Sequence, residues 1–298
     1  MDKLIRACKL CGGNESSLIQ IGARHAPEAE VHRCTTCDLV FLSPQPSEEE
    51  LEFYYSTIYR EDYRLTQVEE RHKRDLEKAY LQVQRLLPQL NPETRLLEVG
   101  SGSGAFLYAV SPYVKEAIGI EPDTATRGWI EQNLGFKMLD RIPEDGFETE
   151  GFDLVVSFHV LEHVPAPLDF LAALKKVLKP GGEFVVEVPN VDDVLVGVYQ
   201  VPSYLQFYFQ KAHLYYFSKK TLALVLKKAG FDATICGIQR YDLSNHLRWM
   251  LTDKPGGQGY YRDILASAVQ TAYADSLISS GHADTLWAVA RKTPNFLR

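Results

Sequence analysis

Short apolar runs recur along the middle of the chain, separated by stretches of helical periodicity. The runs are Leu96-Leu97-Glu98-Val99, Ala117-Ile118-Gly119-Ile120, Phe136-Lys137-Met138-Leu139, Leu154-Val155-Val156-Ser157 and Phe184-Val185-Val186-Glu187-Val188. Runs of this length, bounded by glycine, proline or acids, predict strands buried on both faces of a sheet. A helix over Pro167–Leu178, stopped by Lys179-Pro180-Gly181-Gly182, joins the last two. Further on, a helix is predicted over Thr221–Ala229, a strand over Phe231–Tyr241, a helix over 261–280 and a last strand over Thr285–Arg291. Strands alternating with helices predict an α/β fold with a mostly parallel sheet.

The pattern before residue 93 is different. Residues 66–90 predict one amphipathic helix, with Val68, Leu76, Tyr80, Val83, Leu87 and Leu90 on its apolar side, ended by Asn91-Pro92. Upstream, Ser47 ahead of Glu48-Glu49-Glu50 caps a shorter helix. An aromatic cluster follows, in which Tyr59 and Tyr63 are candidates for a lid over a bound ligand. These patterns divide the chain into residues 1–45, a helical linker over 46–92, and an α/β domain over 93–298 with an aromatic-rich insertion near 192–218.

Chemistry first enters with the cysteines. Cys8-x-x-Cys11 and Cys34-x-x-Cys37 supply four thiolates, the number that fills a tetrahedral zinc ion and leaves no position for substrate. The expected role is structural, because about forty residues bury little core without such a staple. Two disulfides or four free thiols are the alternatives. His25 and His32 lie between the pairs but are not needed as ligands. Cys236 reads as a buried free thiol.

Composition adds exclusions. A hydrophobic content of 45% allows a substantial core. No run of about 18 apolar residues is present, so no membrane span is expected, and the first residues lack the apolar region of a signal peptide. The cytoplasm is the default location. A formal net charge of -7 argues against charge-driven binding to nucleic acid, and no nucleic-acid partner is expected.

The run at 96–99 opens into Gly100-Ser101-Gly102-Ser103-Gly104. Three alternate glycines let the backbone turn sharply at the end of a strand and approach a ligand closely. Gly100, Gly102 and Ala105 also fit a loose dinucleotide fingerprint, so an NAD-type protein stays in view. Glu98 within the strand suits a cationic ligand better than a pyrophosphate. Glu121 falls about twenty residues after Gly100, where such folds place a carboxylate for ribose hydroxyls. Asp140 follows the third run, either as a partner for an adenine amino group or as a loop acid.

Glu98-x-Gly-x-Gly-x-Gly104, FDLVVSFHVLEHV from Phe152 and LKPGGEFVVEVPN from Leu178 together resemble the class I S-adenosylmethionine-dependent methyltransferases. The resemblance covers residues 94–190. It implies a Rossmann-like sheet with an antiparallel edge pair, S-adenosyl-L-methionine as cofactor, and a cofactor site at Glu98, Gly100, Gly102, Gly104, Glu121 and Asp140. Ser157, Phe158 and His159 would line its methionine end, while Leu161-Glu162-His163 would fix the loop.

The cysteine module, the Pro44-x-Pro46-Ser47 and Tyr54-Tyr55 segments and His213-Leu214-x-Tyr216-Phe217-Ser218 make the whole chain resemble bacterial sugar methyltransferases. That resemblance implies transfer to a sugar hydroxyl of a nucleotide-linked sugar or polysaccharide. A histidine base is expected, His213 first, then His159, with His246 in reserve. Carbon methylation is disfavoured, because the acid that precedes the base in the sugar C-methyltransferases is Ala212 here. A peptide, polyketide or other small-molecule acceptor is the second reading, and a non-catalytic zinc-ribbon binding protein the third. The oligomeric state is not encoded in any motif.

Overall fold

The apolar runs do form strands of one sheet. In the computed structural model, which describes residues 7–54, 58, 67–143 and 151–293, β4 (Arg95–Val99), β5 (Glu116–Ile120), β6 (Met138–Leu139), β7 (Phe152–Phe158) and β8 (Leu178–Pro189) run parallel. β10 (Phe231–Ile238) and β11 (Thr285–Lys292) complete the sheet antiparallel at one edge, giving the order β10-β11-β8-β7-β4-β5-β6. This is the Rossmann-like sheet with an antiparallel edge pair that the resemblance implied. Leu96, Leu97, Leu154, Val155, Val156, Phe184, Val185 and Val186 are essentially inaccessible, as strands covered on both faces require. The chain goes from β4 to β5 on one side and later returns to β7 on the other. The carboxyl end of β4 is therefore the switch point where open sheets form a ligand crevice.

Helix α2 (Val68–Leu86) covers this end of the sheet. Its Ala79, Val83 and Leu86 pack with Leu96 and with Phe106, Ala109 and Val110 of helix α3 (Ala105–Val110). Some boundaries differ from the sequence pattern. Leu178 opens β8 instead of ending the preceding helix, because it pairs with Phe152 in the ladder. The helix expected over 261–280 starts at Ser267. Tyr59 and Tyr63 lie outside the described residues.

The N-terminal segment forms a second sheet. β1 (Ser16–Ala23), β2 (Ala26–Cys34) and β3 (Val40–Ser43) are antiparallel, and a fourth strand comes from far down the chain: β9 (Tyr215–Tyr216) pairs Tyr216 with Val40 and Tyr215 with Phe41. One apolar cluster consequently runs from Cys8, Cys34 and Cys37 through Phe41 and Tyr215 to Phe184 and Val188 of the large sheet. The aromatic-rich insertion near 192–218 is largely spent on this junction. Phe209, Tyr215, Tyr216 and Phe217 are at most 1% exposed. Large apolar rings gain more from complete burial than from facing a wet cleft. Tyr199 and Phe207 alone among its large aromatic groups remain accessible. Among the described residues, no helix is long and apolar enough to cross a membrane.

Candidate functional site

The glycine turn is the base of the crevice. Gly100, Gly102 and Gly104 all have positive φ, +80°, +53° and +71°. A Cβ on Gly100 would stand 2.3 Å from Val160 Cγ2, whereas one on Gly102 would meet nothing within 4 Å. The turn is thus packed at its root and open at its tip. Ile120 O accepts the N–H groups of Gly100 (2.8 Å) and Ser101 (2.9 Å). Glu121 Oε2 accepts the Gly102 N–H at 2.9 Å, and Oε1 that of Asp123 at 3.0 Å. Burial pushes the Glu121 carboxyl up, while the Asp123 and Gly102 N–H groups pull it down.

Glu98 lies beneath the turn, 3% exposed, and its Oε2 has no hydrogen-bond partner. Burial pushes its carboxyl up to about 8. A buried carboxyl with one oxygen unpartnered, beside an open glycine tip, fits a ligand that brings an ammonium group. Asp140 follows β6 on the same side of the sheet, but its carboxylate is exposed and paired with Arg141 at 3.1 Å.

At the carboxyl end of β7, Ser157 is fully buried and its Oγ has no partner. Phe158 is held edge-on to Phe106 (4.9 Å) and stacked on Trp287 (5.6 Å). His159 takes a left-handed φ of +58° and donates its backbone N–H to Glu187 O at 2.8 Å. Its ring is set among charges: Nε2 is 3.0 Å from Glu187 Oε1 and 2.7 Å from Arg240 Nη1, and Nδ1 is 3.3 Å from Glu162 Oε1. Gln82 Nε2 of α2 donates to the other Glu187 oxygen at 2.8 Å. Burial alone would raise the Glu187 carboxyl, but His159, Lys78 and Arg240 hold it well below the usual range. Lys78, half-buried on α2, is pushed down by burial and by Arg240.

The other two histidines separate. His213 is 9% exposed, its ring perpendicular to that of His163 at 4.7 Å. Burial first, then His163, His159 and Arg24, keep it neutral far below the usual imidazole range. His246 lies instead on a later helix, with Nδ1 2.7 Å from the Tyr273 hydroxyl, and burial pushes it down to about 4. Its link to His159 is indirect, through Gln239, Asp284 and Arg240.

The sequence pattern did not single out Lys78, Gln82, Glu187 or Arg240. Glu187 carried a readable signal, an acid inside an apolar strand run, as Glu98 does. The other three are ordinary polar residues on amphipathic elements.

The four thiols converge. Cys8 and Cys37 sulfurs are 3.6 Å apart and Cys11 and Cys34 sulfurs 3.5 Å apart, with all four within 4.8 Å of one another. Tetrahedral zinc with bonds of 2.3 Å places sulfurs about 3.8 Å apart. His32 is spent elsewhere, on Ser16 Oγ and Glu30.

This chain belongs to the methyltransferase domain family: the family model described as "Methyltransferase domain" matches residues 70–234, more than half of the chain. It is a class I S-adenosylmethionine-dependent methyltransferase. A solved S-adenosylmethionine-dependent methyltransferase from Archaeoglobus fulgidus superposes with a TM-score of 0.52 at 19% identity, covering 80% of this chain and 100% of that one. Curated relatives include the tRNA U34 carboxymethyltransferases of Azotobacter vinelandii, 34% identical over 166 residues, and Glaesserella parasuis, 32% identical over 168 residues. Each match covers 51% of this chain and 50% of the relative, so the chain spans about half the length of the curated relatives it matches.

These relatives overturn two expectations. The sugar acceptor is not supported, since the matched enzymes carry the name of a tRNA modification. The expectation of no nucleic-acid partner falls with it. The physical reasons are plain. Of the motifs behind the sugar reading, the cysteine module and the 213–218 stretch pack the core between the two sheets, and packing does not report the acceptor. Net charge is an average that leaves local basic surface undetermined.

Proposed function

We propose that the protein transfers a methyl group from S-adenosylmethionine to a nucleobase of tRNA, with uridine the first acceptor to test. The names of the curated relatives carry the acceptor class. In this reading Gly100, Gly102 and Gly104 seat the donor, Glu98 meets its ammonium group, Glu121 its ribose and Asp140 its adenine. Ser157, Phe158 and His159 line the methionine end. The cofactor supplies the electrophilic methyl group. The chain's own task is to orient the acceptor in line with the methyl–sulfur bond and to exclude water.

His159 is the group we assign to receive the acceptor's proton. It is 22% exposed in its side chain, whereas His213 and His246 are more deeply buried. Buried Glu187 stabilises the imidazolium that forms, and a positioned base of this kind is worth roughly 10²–10⁴-fold. The four cysteines hold a structural Zn2+ ion in a module over residues 1–45, and residues 46–92 link it to the catalytic domain over 93–298. Reduced thiolates and an RNA substrate both agree with a cytoplasmic setting.

The test is incubation of the full chain with S-adenosylmethionine and unmodified tRNA, followed by digestion to nucleosides and mass spectrometry. A methylated uridine that disappears with His159→Ala is the expected result. Unchanged tRNA nucleosides, with the donor bound and intact, would sink the acceptor assignment.

A further inference from the structure

A strip of tyrosines and arginines leads away from His159 on a part of the chain that lies outside the glycine-turn crevice. β10 and β8 both pair antiparallel with β11, so they run the same way, and the residues after β10 emerge at the crevice rim. Buried Asp284 fixes them there. Its Oδ2 accepts Gln239 Nε2 at 2.8 Å and the backbone N–H groups of Arg240 and Tyr241 at 2.9 Å each. The Arg240 side chain reaches His159, and its neighbour Tyr241 is 42% exposed.

The strip continues through Asp242, which caps the helix Leu243–Thr252. Its Oδ1 accepts the Asn245 N–H at 2.8 Å, and its Oδ2 accepts the Gly259 N–H at 2.8 Å from the loop after that helix. The loop lies tight on the helix at Gly257, where a Cβ would stand 2.7 Å from Arg248 Cβ and from Asn245 Cα. A glycine permits that approach. It brings Tyr260, 61% exposed, beside the helix, with the Arg248 guanidinium 4.8 Å from the ring centroid and donating to Pro255 O at 3.0 Å. Asp242 is hydrogen-bonded to backbone and Asp253 to the Ser203 hydroxyl at 2.6 Å, whereas Lys254 and Arg262 carry exposed positive charge against Asp263. Exposed tyrosines beside guanidinium groups suit single-stranded nucleic acid: a base stacks on the ring, and the adjoining phosphate meets the cation.

We infer that Tyr241, Tyr260 and Arg248 bind the nucleotides next to the target base in single-stranded RNA, the tyrosines stacking on bases and Arg248 meeting a phosphate. The inference rests on the tRNA reading and adds where the RNA lies. Arg240 itself stays with Glu187 and His159 and joins the strip to the reacting end of the crevice. A nucleotide presented to His159 thus sends its neighbours across Tyr241 first and Tyr260 next.

Binding of the full chain to fluorescein-labelled unmodified tRNA and to oligouridylate is followed by anisotropy across a salt series. Tyr241→Leu and Tyr260→Leu should each weaken binding roughly 5–100-fold, and Tyr241→Phe and Tyr260→Phe, which keep the ring, should bind as the wild type does. Arg248→Gln should lower the slope of log affinity against log salt by about one. S-adenosylmethionine affinity and unfolding temperature should stay at wild-type values in every variant. If the wild type methylates tRNA and the leucine variants bind it equally tightly, the strip is overturned and the acceptor assignment stands. A wild type that neither binds nor methylates RNA overturns both. Leu251 and Ile264 are also exposed near the strip. Leucine variants that dissociate a dimer in sedimentation, with RNA affinity unchanged, would make this a self-association surface and overturn the inference as well.

Discussion

Glu121 Oε2 accepts the backbone N–H of Gly102 at 2.9 Å. The acid that ends one strand therefore braces the turn that ends its neighbour, and it also holds Asp123 N, the cap residue of the next helix. One carboxylate ties three segments around the crevice.

Replacing Glu121 by alanine should weaken S-adenosylmethionine binding by roughly 10–100-fold, since it leaves two N–H groups unpaired at about 1–3 kcal/mol together. Glu121→Gln keeps one acceptor oxygen and should lose less. Calorimetric titration of both variants checks the order.

Gly100→Ala tests the root of the turn. The new Cβ falls 2.3 Å from Val160 Cγ2 in a left-handed backbone conformation. A cost of about 1–3 kcal/mol in stability is expected, with loss of cofactor binding. At Gly102 the backbone is left-handed too, but a Cβ meets nothing. Gly102→Ala should therefore fold better than Gly100→Ala in thermal unfolding while still binding cofactor poorly.

Glu98 gives a pH signature. Its folded pKa of about 8 exceeds the ordinary 4.5, so the native state holds the extra proton between those values. Stability of the ligand-free protein should fall as pH rises through that window, and Glu98→Gln should flatten the fall. Glu187 has the opposite sign. Held well below 4.5, it contributes stability above that pH which is lost on acidification, and Glu187→Gln should remove that acid limb. At pH 7 the binding of a cationic donor should ionise Glu98 and release about one proton. Calorimetry in buffers of different ionisation enthalpy reads this directly, and Glu98→Gln should release none.

Metal removal should act well beyond the N-terminal segment. Chelation, or Cys34→Ser, is expected to lower the unfolding temperature by roughly 10 °C, a cost of several kcal/mol. Because β3 carries β9 as its neighbour, hydrogen exchange at Tyr215 and Tyr216 should rise as well. Exchange confined to residues before 45 would mean that the two sheets are energetically independent.

The parallel strands, the glycine turn and the cysteine pairs were legible because each is local. A buried strand writes a continuous apolar run, a left-handed turn asks for glycine, and paired thiols keep a fixed spacing. The acceptor was not legible, since no local motif in the chain reports it.

What the sequence determined by itself is therefore the sheet, the glycine-turn crevice and the four-cysteine cluster. Tertiary structure alone decided that Gln82, His159, Glu187 and Arg240 meet around one buried carboxylate, and that Tyr215–Tyr216 completes the N-terminal sheet. Those partners are far apart in the chain, and no local period encodes them. They are brought together by burial, and by the need of each buried charge or strand edge for a partner.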